Sequence, residues 1–448
     1  MRKYRAGASV ACAAMLAVWA AGCSGNTDNN PQQGAGADST GKQAEAKPQE
    51  PIEIVLYGGQ SNWTEEMFDA LYGNAIKKKF PHITPKLIPN SNTPLEQLIT
   101  TGTPFDLMLV TPSGTRRMVM DYNLHTDLSQ MIQANKFDLN RFDKTIIDTQ
   151  RDIAKGGLYG LPAFTQFQVL FYNRTIFDKF GVAYPKSGMT YDELYETAVK
   201  LSRIEGGVKY YGLGTNILWQ YRTSQLPVAL VDPATNKSAF DDKVKVIFEN
   251  WLRFFKIPGF EATDRMAKGS DLENMFFKEQ TLAMYPHYTN VARRLPDTEV
   301  LNWDVVSMPH YKEAAGVAPS VDPYYMYVMS NSKHKQAAFE VAAFLTSTEV
   351  QVELAKEGFT PAINTPEVKA AFGLNNKNYK GKNINAFFPE KFAAAPPFSP
   401  YYAIADTSIQ AVFAEVVAGK KDVNTALREA EATSNKRIEE QIATTGAK

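Results

Sequence analysis

After residue 51, short apolar runs recur with amphipathic stretches of helical period between them. This alternation constrains the fold more than any other feature of the chain. The first run is IEIVLY, residues 52–57, a strand. A helix is expected from near Asn62, with Glu65 completing a capping box, and Phe68, Leu71, Tyr72 and Ala75 form its apolar stripe. HITPKLI reads as a second strand and FDLMLV, residues 105–110, as a third, after which TPSG turns into another helix. Strands and helices in alternation predict a largely parallel sheet covered on both faces.

A second set follows. GLYGLPAF leads into the strand QVLFYN, and Thr190 with Glu193 frames a helix whose buried side is Tyr191, Leu194, Tyr195, Ala198 and Leu201. Residues 244–255 are amphipathic, and strands return at TLAMYP, WDVVSMP and YYMYVMS. Helical stripes close the chain, first at Ala337, Ala338, Val341, Ala342 and Leu345, then at Val423, Leu427, Ala430 and Ile438. No repeat of solenoid length is present.

The first fifty residues are different in kind. MRKYR supplies positive charge, residues 8–19 form a short apolar region, and AAGC follows. That is a secretory signal, too short for a permanent membrane span, and it resembles a bacterial lipoprotein signal, with Ala20 where Leu is usual. The resemblance implies cleavage after residue 22 and lipid on the Cys23 sulfur. The only other cysteine, Cys12, leaves with the signal, so the mature chain has neither a free thiol nor a disulfide. Residues 24–50 hold no aromatic residue and no Ile, Leu or Val. Such a segment cannot bury enough surface to offset its ordering entropy, and it reads as a tether of about 30 Å.

The 448 residues carry 48 basic and 48 acidic side chains, with no clustered basic surface of the kind nucleic acid requires. Lys77, Lys78 and Lys79 read as a solvated helix end. The five histidines (His82, His125, His287, His310 and His334) show no metal-ligand spacing, so neither metal nor cofactor is expected. No nucleophile elbow, HExxH or phosphate loop is visible.

Several phrases then match one family in its own order: GGLYGLP (156–162), VLFYNRTIFDKFGVAYPKSGMTYDELYETAVKLS (169–202), FFKEQTLAMY (276–285), WDVVSMP (303–309), YVMSNSKHKQAAFEVAAFLTSTEVQVELAKEGFTPAI (327–363) and VVAGKKDVNTALREA (416–430). Together they resemble the extracellular solute-binding proteins of ABC importers, the group that includes maltose-binding protein. The resemblance implies an α/β fold of the periplasmic-binding-protein type II, two α/β lobes joined by hinge crossings. The segmentation is then a signal peptide over 1–22, a tether over 23–50, lobe 1 over 51–165 and 318–365, and lobe 2 over 166–317 and 366–448. It further implies a monomer that carries a sugar or oligosaccharide to permease subunits at the outer face of the membrane, with no catalysis.

A sugar ring has a C–H face that packs on aromatic rings and an edge of hydroxyls that need partners once water is excluded. Candidate residues combine the two. Tyr285, His287 and Tyr288 end the strand TLAMYP where the family carries an aromatic contact. Gln60 and Trp63 follow the first strand; Thr111 and Ser113 follow the third. Gln166 sits at the first crossing, where maltose-binding protein has an acidic ligand contact. Trp219 and Tyr221 suggest a second-lobe shelf. Tyr324 and Tyr325 stand at the family's Gly-rich turn, one facing the cleft and its neighbour the opposite side. Tyr401 matches a ligand-stacking Trp, with Tyr402 as its structural neighbour. Each aromatic could instead be a core residue, and each hydroxyl a helix cap. Asp106 and Asp322 read as turn or backbone partners. An anionic ligand would need Arg222 or Arg293 in the cleft. Competing readings are the same fold binding a peptide, amino acid, phosphate ester or metal chelate, and a secreted glycoside hydrolase with a pair of carboxylates.

Overall fold

The structure is a computed structural model that describes residues 50–259, 269–297 and 299–445. The signal, Cys12, Cys23 and nearly all of the tether lie outside the described residues.

Two sheets organise the body. The first contains β1 (Ile52–Tyr57), β2 (Ile83–Ile88), β3 (Leu107–Val110) and β4 (Gly160–Thr165). The second takes β5 (Gln168–Asn173), β6 (Arg203–Glu205) and β7 (Val208–Leu213). A two-stranded hairpin, β8 (Val231–Asp232) with β9 (Lys237–Ser238), stands apart. β10 (Leu282–Tyr288) and β11 (Trp303–Ser307) complete the second sheet, while β12 (Tyr324–Val328) and β13 (Thr360–Pro361) return to the first. The orders are β13-β4-β12-β3-β1-β2 and β11-β5-β10-β7-β6.

Both sheets are mixed, which corrects the largely parallel expectation. β1 runs parallel to β2 and β3, but β12 is antiparallel to β3 and β4. In the second sheet β10 is parallel to β7 and antiparallel to β5. The reason is connectivity: strands linked through helices run parallel, whereas β12 enters the first sheet from the other lobe and opposes it, and β13, linked to β12 through the helices Lys335–Leu345 and Thr348–Lys356, keeps that direction.

Alternation along the strands builds the cores. On β12, Tyr324, Met326 and Val328 face one apolar cluster, and Tyr325 and Tyr327 face another on the opposite side of the sheet. The second sheet has a larger core that also takes residues from the C-terminal helices, among them Ile409, Phe413 and Leu427. The chain passes between sheets at Gln166 and Phe167, again between Ser307 and Tyr324, and a third time after Pro361. Two of these crossings are bonded together: Gln166 N donates to Asp322 O at 3.2 Å and Asp322 N to Gln166 O at 2.7 Å.

Two local expectations are corrected. Thr64, not Asn62, caps the first helix, Glu65–Phe68, its side chain accepting from Met67 N; Asn62 is in the left-handed region at φ 53°. β10 does not end at Tyr285 but runs through Tyr288, fully buried, with Pro286 opposite Leu170 of β5. β7 pairs only with Leu282 and Met284, so β10 beyond it is an edge, and an edge tolerates the absence of the N–H donor at proline. The capping box of Thr190 and Glu193 on the helix Tyr191–Leu201 forms as read.

Candidate functional site

The first βα turn depends on one glycine. Gly59 sits at φ 56°, and a Cβ there would lie 2.0 Å from the Leu109 carbonyl oxygen. Only glycine permits that approach. It lets Gln60 N donate to Leu109 O at 3.0 Å and brings the Gln60 side chain over the end of β3. There Gln60 Oε1 accepts from the Thr111 amide and hydroxyl, each at 3.0 Å, and the Thr111 hydroxyl meets Ser113 Oγ at 3.1 Å. Tyr324 OH donates to the Gln60 carbonyl at 3.4 Å.

The chain then enters a short helix, Pro112–Thr115, and a π-helical turn, Arg116–Met120. Asp121 N donates to Arg116 O at 2.8 Å, and Arg116 Nε donates to Asp121 Oδ1 at 3.1 Å. This forms one wall of a cavity of about 410 Å³, contributed by Gln60, Ser113, Arg116, Arg117 and Asp121. The opposite wall is the segment 395–400, Ala-Pro-Pro-Phe-Ser-Pro, followed by Tyr402 at the start of the helix Tyr402–Val417, with Arg222. Val321 and Asp322, on the crossing, lie between the two.

Two polar groups of this cavity, Asp322 and Arg222, are fixed by specific partners. Asp322 Oδ2 accepts from Gln166 Nε2 at 2.9 Å, and Gln166 Oε1 accepts from Asn290 Nδ2 at 2.7 Å, which sets the amide's orientation. Burial raises the Asp322 carboxyl to about 6, against the pull of the Gln166 bond and of Arg222. Arg222 meets a single oxygen of Asp406 with both Nη2, at 2.6 Å, and Nε, at 2.8 Å. Asp406 has no exposed side-chain surface, and burial raises it to about 6 in spite of Arg222. Its other oxygen and the buried Tyr402 hydroxyl find no hydrogen-bond partner among the described residues.

Apart from Tyr401, the predicted residues divide into three groups. Gln60 and Ser113 line the cavity, with Thr111, Tyr324 and Gln166 bonded directly to its lining. Trp219, His287 and Tyr288 form an aromatic cluster beside the lining, ring centres 4.5 Å apart for Trp219–His287 and 5.3 Å for Trp219–Tyr288, with Tyr288 within reach of the Asp322 and Arg222 charges. Burial lowers the His287 imidazole below its ordinary value; its Nε2 lies 3.4 Å from Glu273. Trp63, Tyr221, Tyr285 and Tyr325 are inside the lobes instead of at the cavity. Trp63 stacks on Phe164 in the first core, Tyr221 OH donates to Val244 O, Tyr285 is wholly buried in the second core, and Tyr325 OH donates to Ile146 O at 2.6 Å. The physical reason is common to all four: a large ring on a strand or helix flank buries more apolar area in the core than at a polar cleft.

Tyr401 does not line the cavity. Its ring is covered by the Arg116 guanidinium, 4.4 Å from the ring centre, while Tyr402 supplies the lining. Arg222 lines the cavity; Arg293 does not, and packs 3.4 Å over the Phe359 ring, where burial lowers it to about 10. Asp106 accepts from Val55 N at 2.8 Å and from Ser332 Oγ at 2.5 Å, the backbone role expected of it. Sequence reasoning missed Arg116, Arg117, Asp121 and the 395–400 wall. The proline-rich run APPFSP was the one visible signal, since three prolines in six residues fix a stretch of chain. Among the described residues no group of three His, Cys, Asp or Glu side chains could hold a metal ion. Nor is any described helix long and apolar enough to cross a membrane.

Comparisons with known proteins agree with this architecture. The family model of bacterial extracellular solute-binding proteins matches residues 58–352, well over half of the chain. A binding protein of Brucella abortus (strain 2308) is 26% identical over 363 residues, covering 75% of this chain and 80% of the relative. A sugar transporter of Rhizobium etli, solved in an open conformation, superposes with a TM-score of 0.69 at 22% identity, covering 86% of this chain and 99% of that one. An ABC substrate-binding protein of Listeria monocytogenes, in complex with cycloalternan, gives 0.70 at 20% identity, covering 87% and 100%. The sugar-binding protein MalE of Xanthomonas citri gives 0.69 at 16%, covering 89% and 100%. The shared fold is the periplasmic-binding-protein type II, two α/β lobes joined by crossings.

Proposed function

Because the chain belongs to the family of bacterial extracellular solute-binding proteins, we propose that it is the lipid-anchored capture component of an ABC importer. It closes its two lobes on a sugar or oligosaccharide and hands it to permease subunits at the outer face of the membrane. Lipid on Cys23 and the tether over 23–50 keep it within their reach.

The observation that carries this reading is the cavity of about 410 Å³ between the two walls, a size in the range of small-molecule sites. Its charged groups come mostly in opposed pairs: Arg116 with Asp121, and Arg222 with the Asp406 behind it. Such a lining offers donors and acceptors together with little net charge, which is what a neutral polyhydroxyl guest requires. Phe398, Tyr402 and the prolines supply apolar surface for C–H faces. The relatives include a sugar transporter and a protein solved with cycloalternan, which points the same way.

The mechanism is binding without bond making. A solute touching both walls is fully contacted only when the lobes are together, so it shifts the population toward the closed form. A Kd of 1 μM needs about −8.2 kcal/mol, within reach of a few stacked rings and paired hydroxyls. A second reading, an anionic solute such as a phosphate ester, is favoured by three guanidinium groups on one cavity: Arg116, Arg117 and Arg222.

A thermal-shift panel of oligosaccharides, phosphate esters, peptides and metal chelates separates these. A ligand at 100 times its Kd adds about 2.7 kcal/mol to folding stability. Stabilisation by an oligosaccharide that is recovered intact supports the proposal. Stabilisation by esters or peptides alone, or hydrolysis of the glycoside, refutes it.

A further inference from the structure

One side chain, Arg116, reaches from one wall of the cavity to the other. Arg116 stands on the π-helical turn of the first lobe, and its Nη1 donates to the Pro400 carbonyl of the opposite wall at 2.9 Å. Its guanidinium carbon also stands over the Tyr401 ring, 4.4 Å from the ring centre. Only 15% of the Arg116 side chain is exposed.

Both sides of this contact are held in advance. The π turn places Asp121, five residues on, beneath Arg116, where the carboxylate fixes Nε and leaves the rest of the fork pointing away. On the other wall Pro396, Pro397 and Pro400 restrict the backbone, and Ser399 Oγ accepts from Tyr401 N at 3.2 Å, which fixes the turn that presents the Pro400 carbonyl. The bond and the cation–π contact both require the walls to be together.

We propose that Arg116 is a positioning residue for solute capture, a latch that holds the lobes together before any solute arrives. Solutes then bind to a closed population that is already substantial, and their apparent affinity scales with that population. This holds whichever solute class the cavity takes. A charge-assisted hydrogen bond of this kind shifts a two-state equilibrium about tenfold or more.

The test needs no ligand. Spin labels on Asn92→Cys in the first lobe and Lys420→Cys in the second, both exposed positions, are placed in a chain that carries Cys12→Ser and Cys23→Ser. The interlobe distance distribution is then measured without solute. The parent chain is expected to give mainly the short distance. Arg116→Ala is expected to raise the ratio of long to short about tenfold or more, while urea unfolding remains a single cooperative transition. Arg116→Lys should fall between, because an ammonium can reach Pro400 but cannot keep the Asp121 bond and the Tyr401 face as well. Tyr401→Leu should lengthen the distribution partly. A parent chain that is already mainly long, or an Arg116→Ala distribution matching the parent, overturns the latch. If Arg116→Ala fails to fold, the Arg116→Lys and Tyr401→Leu distributions decide in the same way.

Discussion

Replacing Arg222 by Met tests the electrostatics of the cavity wall most directly. The guanidinium places two nitrogens, at 2.6 and 2.8 Å, on one oxygen of a carboxylate with no exposed surface, and the other oxygen has no partner among the described residues. Removing Arg222 leaves Asp406 buried and uncompensated. Breaking a buried pair from one side costs about 3–5 kcal/mol. A Coulomb term at an effective dielectric of 20 gives about 4 kcal/mol at 4 Å, the same range. Protonation limits the loss. Asp406 already stands at about 6 with Arg222 present, and it climbs further without it. The folded variant then holds a proton where the unfolded chain, near the ordinary carboxylate value, has released it. Stability therefore falls as pH rises between those two values, and the full penalty stands above the higher one. Urea unfolding should show a loss of about 3 kcal/mol or more at pH 8 and less than half of that at pH 5. The double variant Arg222→Met with Asp406→Leu should recover most of the loss, because an apolar pair of similar volume leaves no unpaired charge. A single-variant loss under about 1 kcal/mol at pH 8, or a double variant no more stable than the single, refutes the reasoning.

Three further outcomes follow from other positions. Gly59→Ala should cost about 1–3 kcal/mol in urea unfolding, since the new Cβ meets the Leu109 carbonyl at 2.0 Å in a left-handed backbone; an unchanged midpoint would mean the turn simply moves aside. Trp63→Ala, deep in the first core, should lose about 3–5 kcal/mol of stability. Tyr402→Ala should instead weaken solute binding with a smaller stability loss, and calorimetry with denaturation would expose a reversed pattern. Asp322, raised to about 6 by burial, takes up its proton in the folded chain before the unfolded one does, so it subtracts stability as pH rises from about 4 to 6. Asp322→Asn should flatten that slope by up to about 3 kcal/mol, and an unaltered slope counts against the assignment.

The strands IEIVLY, QVLFYN and WDVVS, the capping box at Thr190 and the apolar stripes of the late helices were legible because each is a local pattern of period two or 3.6. Strand direction was not, since the antiparallel return of β12 depends on a crossing from the other lobe. The same divide runs through the site. A βα turn is a local signal, so the sequence points to Gln60 and Ser113, which line the cavity, and to Thr111, which is bonded to Gln60; Tyr324 and Tyr325 separate to opposite faces as strand alternation requires. The aromatic residues were harder, since a ring looks alike in sequence whether it serves a core, as Trp63 and Tyr285 do, or a cavity, as Tyr402 does.

Local period and turn chemistry by themselves determined the α/β class and the position of most elements, while the family came from a resemblance carried by longer phrases in their order. The cavity was decided only by tertiary structure, because its walls come from residues hundreds of positions apart. Arg116 and Pro400 are 284 residues apart and meet at 2.9 Å; Arg222 and Asp406 are 184 apart and meet at 2.8 Å. The first pairing depends on how the two lobes meet and the second on how the helices Ile217–Arg222 and Tyr402–Val417 pack within the second lobe, and nothing in the neighbourhood of either residue along the chain encodes the other.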